Sequence, residues 1–93
     1  MLDQLAKVRD LRCVPMFGGH GLYSGSTFFG IIHRGRLYFK TDQRTRATYL
    51  ARGMTPFRPN PKQTLKTYYE VPVEVMEDAE QLAAWARRAS SQP

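Results

Sequence analysis

Apolar residues recur along this chain in two rhythms, one helical and one strand-like, and the changes between them divide it into elements. Leu2, Leu5, Ala6 and Val8 return at roughly helical spacing, which predicts a short opening helix over residues 2–11. The β-prone run Cys13–Phe17 then meets Gly18-Gly19-His20-Gly21, and Leu22–Ser24 reads as its hairpin partner. Gly25–Thr27 turns the chain. "FFGIIHRGRLYFKT", residues 28–41, follows as two strands about Arg34-Gly35, because a glycine at the second turn position supplies the positive φ that a tight hairpin needs.

In the second half, Asp42 can cap a helix over 43–52 that stops at Gly53. Ala47, Leu50, Ala51 and Met54 form its expected apolar side, and Arg44, Thr48 and Arg52 a basic edge. Three prolines make Pro56–Lys62 an extended loop, since each lacks a backbone donor. "TLKTYYEV", residues 64–71, alternates as a strand, with Leu65, Thr67, Tyr69 and Val71 on one face and Lys66, Tyr68 and Glu70 on the other. Pro72 ends it. The last helix has Asp78 and Gln81 spaced as a capping box, Glu80 in its first turn, and Arg87 and Arg88 in its last. Leu82, Trp85, Ala86 and Ala89 form its buried stripe, and residues 90–93 a tail. The expected fold is α+β: one compact domain over residues 1–93, an antiparallel β-sheet covered by helices in the order α-β-β-β-β-α-β-α.

Charge adds a bias towards partners. With 14 Lys and Arg against 8 Asp and Glu, the net charge is +6, which favours association with anionic partners and says nothing about fold. The single cysteine, Cys13, allows no intrachain disulfide and fits a reducing cytoplasm. The first residues mix charges of both signs among apolar positions, so neither a secretory signal nor a membrane span is expected.

Candidate chemistry is sparse. Gly18–Gly21 lacks the spacing of a Walker loop or a dinucleotide fingerprint, and reads as a turn whose glycines allow unusual φ or close backbone packing. His20, His33 and Cys13 are scattered rather than paired as zinc ligands are, so no metal and no cofactor is expected. A thiol that opens an apolar run suits the core better than nucleophilic catalysis. The carboxylates sit mainly at helix starts. A small hydrolase or ligand-binding role would rest on the Gly18–Gly21 loop alone, and the chain reads as a non-enzyme. Tyr38 with Lys40 and Lys66 with Tyr68 pair a ring and a cation, as sheets that stack single-stranded bases do, and as half-exposed sheets do in general. Arg34, Arg36, Arg44, Arg46 and Arg52 are candidates for a phosphate-gripping patch at a hairpin tip and helix edge. Together with Lys40 and Lys66 they are the candidate nucleic-acid contacts.

"MFGGHGLY", "FFGIIHRGRLYFKTD", "GMTPF", "YYEVP" and "EDAEQLAAWARRA" occur in an order and spacing that resemble the TfoX N-terminal domain, from Arg12 to Ala89. The family's hallmark positions carry over as Met16, Phe17, Gly18, Gly19, Gly21 and Tyr23, then Leu37, Tyr38 and Lys40, then Gly53, Pro56, Phe57, Tyr68, Pro72 and Trp85. The resemblance implies a bacterial, cytoplasmic α+β domain with neither catalytic residues nor a required cofactor, related to regulators that promote transcription of competence genes alongside the cyclic-AMP receptor protein. In full-length members a second, helical domain follows, so the resemblance leads to the expectation of a stand-alone form here. The expectation is an interaction module of transcriptional regulation that contacts a protein of the transcription machinery, with DNA as the alternative partner. An uncovered edge strand could also pair with a second copy in a homodimer.

Overall fold

The structure, a computed structural model, describes residues 5, 8–16 and 18–91. Its strands are β1 (Leu11–Met16), β2 (Gly19–Ser24), β3 (Thr27–His33), β4 (Arg36–Lys40), β5 (Pro56–Asn60) and β6 (Gln63–Glu70). Its helices are α1 (Gln43–Ala51), between β4 and β5, then α2 (Val73–Met76) and α3 (Ala79–Ser90), which close the chain. All six strands form one antiparallel sheet in the order β1-β2-β3-β4-β6-β5. The α+β class therefore holds, with the element order β-β-β-β-α-β-β-α-α.

The hairpins follow from their turns. Arg34 and Gly35 both have positive φ, 52° and 76°, the mirror-image turn whose twist matches two right-twisted strands. Gly19 and Gly21 belong to β2 itself. A Cβ on Gly19 would collide with the carbonyl oxygen of Ile32 across the ladder, and one on Gly21 would lie 3.0 Å from both Met16 Sδ and the Phe28 ring. Close backbone approach accounts for Gly19 and side-chain packing against Met16 and Phe28 for Gly21, and Gly18, at φ 74°, makes the turn before them.

Four expectations are corrected. The described residues do not open with a helix. Residues 2–4, 6 and 7 of the expected 2–11 helix lie outside them, while Asp10 takes a left-handed φ of 52° and Leu11 already belongs to β1. Pro56–Asn60 is a strand rather than a loop; it lies at the sheet edge, where prolines leave few ladder donors missing. A single helical turn, α2, follows Pro72. The alternation of β6 breaks, because its register against β5 shifts on both sides of Phe57. Bulges of this kind exchange the faces of the side chains beyond them. Tyr69 and Val71 therefore face the helices while Leu65 joins Tyr68 on the opposite side.

The main core lies between the sheet and α3. Leu22, Phe29, Leu37, Phe39, Tyr69 and Val71 meet Leu82, Trp85, Ala86 and Ala89 of α3, together with Leu5, Tyr49 and Val75. A bulge where β3 pairs with Leu22/Tyr23 sets Phe29 and Gly30 together opposite Leu22, which brings Phe29 onto this face. The other face carries a smaller cluster of Ile31, Tyr38 and Phe57, with no helical residue among the described residues in it. β5 lies three strand spacings from β3, roughly 14 Å in a flat sheet. Yet the Phe57 ring sits 5.2 Å from His33 and 4.7 Å from Tyr38, so the β5–β6 hairpin curls over that face.

Because Phe57 closes that second cluster, Phe57→Ala should lower unfolding stability by about 3–5 kcal/mol. Leu50→Ala, at an exposed site, should stay within about 0.5 kcal/mol. Urea denaturation of the two variants checks this.

Candidate interaction site

α1 starts at a reciprocal cap. Asp42 Oδ1 accepts the backbone N–H groups of Arg44 and Thr45, at 2.9 and 2.8 Å, and the Asp42 N–H donates to Thr45 Oγ1 at 2.9 Å. The Thr45 N–H bond is the first cause that holds the Asp42 carboxyl below its usual pKa. Asp78 caps α3 in the same way, accepting from Glu80 and Gln81. There the Gln81 side chain donates to the Asp78 carboxylate, so no reciprocal box forms.

One side chain anchors α1. Tyr49 is its only buried residue, edge-on to Trp85 with centroids 4.8 Å apart and 6.1 Å from Tyr69. Burial raises the Tyr49 phenol pKa, and the nearby Arg88 opposes that shift. This orientation reverses the expected apolar side: Ala47, Leu50 and Ala51 are exposed, Leu50 at 55%, and only Met54 packs against the core. Alanines and one leucine bury less surface than a tyrosine wedged between two rings, so Tyr49 takes the inward position.

The sequence-assigned cations separate into two groups. Arg34 and Arg36 stand at the β3–β4 turn, where Arg36 pairs with Glu70 at 3.2 Å, an exposed contact of small energetic weight. Lys40, Arg44, Arg46 and Arg52 lie at the other end of β4 or on α1, and the length of β4 sets the groups roughly 13 Å apart. Arg46 is tied to the fold: its Nε donates to Thr41 Oγ1 at 3.1 Å, and Thr41 donates in turn to the Thr67 carbonyl. Arg52 lies over the Trp85 ring at 5.3 Å. Lys66 is exposed on β6.

Between α1 and α3 a small cleft of about 10 Å³, room for one water, is lined by Lys40, Thr48, Tyr49, Trp85 and Arg88 among others. It brings Lys40 and Arg88 together with no carboxylate in its lining. Sequence reasoning assigned Arg88 only to the dipole of its helix. Its spacing of three from Trp85 placed it one turn along the same face, but the packing of α3 on α1 lay beyond any local pattern.

The expected ring and cation pairs take different places. Tyr38 is buried under Phe57, and Tyr68 is opposite Lys40 in the ladder and stacked near Phe28 at 5.5 Å. Tyr23 continues this row at 5.1 Å from Phe28. Among the other hallmark positions, Gly53 ends α1 at φ 74°, and Phe17 lies outside the described residues. Cys13 is half-buried beside the main core, His20 is exposed, and His33 rests against Phe57. Among the described residues no three His, Cys, Asp or Glu gather where a metal could bind, and no helix is long and apolar enough to cross a membrane.

The family model described as the TfoX N-terminal domain matches residues 3–92, nearly the whole chain. No curated protein matches it.

The titrating groups set a stability profile. Asp42 and Asp78 have lowered carboxyl pKa values in the folded state, so their stabilisation is complete above the ordinary value of 3.8 and is lost as pH falls through the lower folded values. Tyr38, Tyr49 and Tyr68 are raised by burial, so their contribution is present below pH 10.0 and is lost as pH rises above it. Thermal melts should therefore give a plateau at neutral pH that falls on both sides. Asp42→Asn, which keeps the cap acceptor but cannot titrate, should shallow the acid limb alone.

Proposed function

The chain belongs to the TfoX N-terminal domain family, and from that membership we propose that it is a non-catalytic interaction module of bacterial transcriptional regulation, working in the cytoplasm through contact with a protein of the transcription machinery. Support comes from the outward face of α1, where Leu50, at 55% exposure, and its neighbours Ala47 and Ala51 contribute little to the core. Exposed apolar side chains grouped on one helix face favour a protein partner, which can bury them. The family is also generally not catalytic.

A second reading, direct binding of nucleic acid, draws on the cations near the α1 end of β4: Lys40, Arg44 and Arg52, with Arg88 from α3. Such contacts grip phosphates without reading bases, and their affinity falls steeply with salt.

One experiment separates the two. The labelled domain is titrated with RNA polymerase, with the cyclic-AMP receptor protein, and with duplex and single-stranded DNA at several salt concentrations. The expected result is saturable binding to at least one of the two proteins, with DNA held only in the non-specific range of roughly 10⁻⁴ to 10⁻⁶ M. Tighter DNA binding that is lost in the Arg44→Glu, Arg52→Glu double variant, with neither protein bound, would transfer the role to nucleic acid.

A further inference from the structure

Building on the protein-contact reading, we propose that the outward face of α1 docks an acidic, amphipathic helical segment of the partner protein. Ala47, Leu50 and Ala51 stand at i, i+3 and i+4, so they form one short stripe along the helix, and all three are exposed. The two alanines would let a second backbone come close, while Leu50 would act as a knob between its side chains. Arginines border the stripe on both sides. Arg46 precedes Leu50 by one turn, and Arg44 precedes Ala47 and Thr48. Arg52 and Arg88 lie beyond, towards α3.

No residue of α1 is acidic, and the carboxylate at its N-cap, Asp42, is engaged by the helix's own N–H groups. A docked helix with an apolar stripe and carboxylates on its flanks would match this face in both shape and charge. One of the flanking cations, Arg46, is held by Thr41 before any partner arrives, which reduces the side-chain ordering that binding must impose.

Charge decides against the other occupants. A second copy of α1 would set arginines against their own images. A nucleic acid would meet the cations but leave the methyl groups of Ala47, Leu50 and Ala51 against phosphate and water.

The test is an NMR titration of the ¹⁵N-labelled chain with a four-turn peptide that carries leucines at helical spacing and glutamates on their flanks. Controls are the same peptide with lysine for glutamate and a short DNA duplex. Amide shifts should concentrate in residues 44–52. The lysine peptide and the Leu50→Asp variant should each bind about ten-fold more weakly or worse, with Leu50→Asp still melting cooperatively as a folded domain because the site is exposed. Arg44→Glu should weaken the glutamate peptide and strengthen the lysine one.

Shifts centred on the sheet, equal binding of both peptides, unchanged binding by Leu50→Asp, or no shift at millimolar peptide would each overturn the proposal. A duplex that shifts α1 where the peptide does not would overturn it in favour of nucleic acid. If the chain binds a transcription protein and Leu50→Asp binds it equally well, this surface fails while the broader role stands. If the peptide docks on α1 but neither protein binds, the broader role fails and the surface stands.

Discussion

The seating of Tyr49 between Trp85 and Tyr69 governs what this domain shows to its surroundings. A helix of nine residues is marginal alone, because the cost of nucleation is spread over few hydrogen bonds. α1 is held by its Asp42 cap, by Arg46 on Thr41, and by one aromatic side chain in the core. With Tyr49 turned inward, the helical period leaves no choice for the remaining positions: Ala47, Leu50 and Ala51 face out and Arg52 comes to rest over Trp85. The cleft that gathers Lys40 and Arg88 has the same origin, since Tyr49 and Trp85 line it.

The sheet explains why the exposed surface of interest lies on a helix. β6 returns beside β4 and carries β5 to the edge, and the irregular β5–β6 pairing curls this hairpin over the face opposite α3. Phe57 then buries Tyr38 and Ile31. An aromatic sheet face that would otherwise present a stacking platform is therefore partly closed, and its remaining row, Tyr23, Phe28 and Tyr68, packs ring against ring.

Much of this architecture is legible in local chemistry. Arg34-Gly35 announces its turn, Asp42 and Asp78 announce their caps, and the stripe Leu82, Trp85, Ala86 and Ala89 is buried as its spacing requires. The elements that escaped are those decided by distant partners. Prolines disguise β5 because only its place at an edge makes them harmless, and the bulges that redirect Leu65 and Phe29 leave no mark on alternation. The expected opening helix runs to residue 11, but Asp10 turns the chain with a left-handed φ and Leu11 already belongs to β1. On α1 the pattern of alanine and leucine pointed to burial, whereas one aromatic partnership with Trp85 outweighed it. The candidate site was legible only in part: Arg44 and Arg52 were visible as a basic edge and Lys40 as a candidate contact on its strand, but Arg88 and the apolar stripe between the arginines depended on how α1 is turned.

The orientation of α1 is tested most directly by paramagnetic relaxation with a soluble gadolinium chelate. The methyl groups of Ala47, Leu50 and Ala51 should relax as fast as other surface groups, while the Tyr49 ring should be protected like Leu22 and Phe29. Protection of the Leu50 methyls together with rapid relaxation of the Tyr49 ring would show α1 turned the other way, and the outward apolar stripe would not exist.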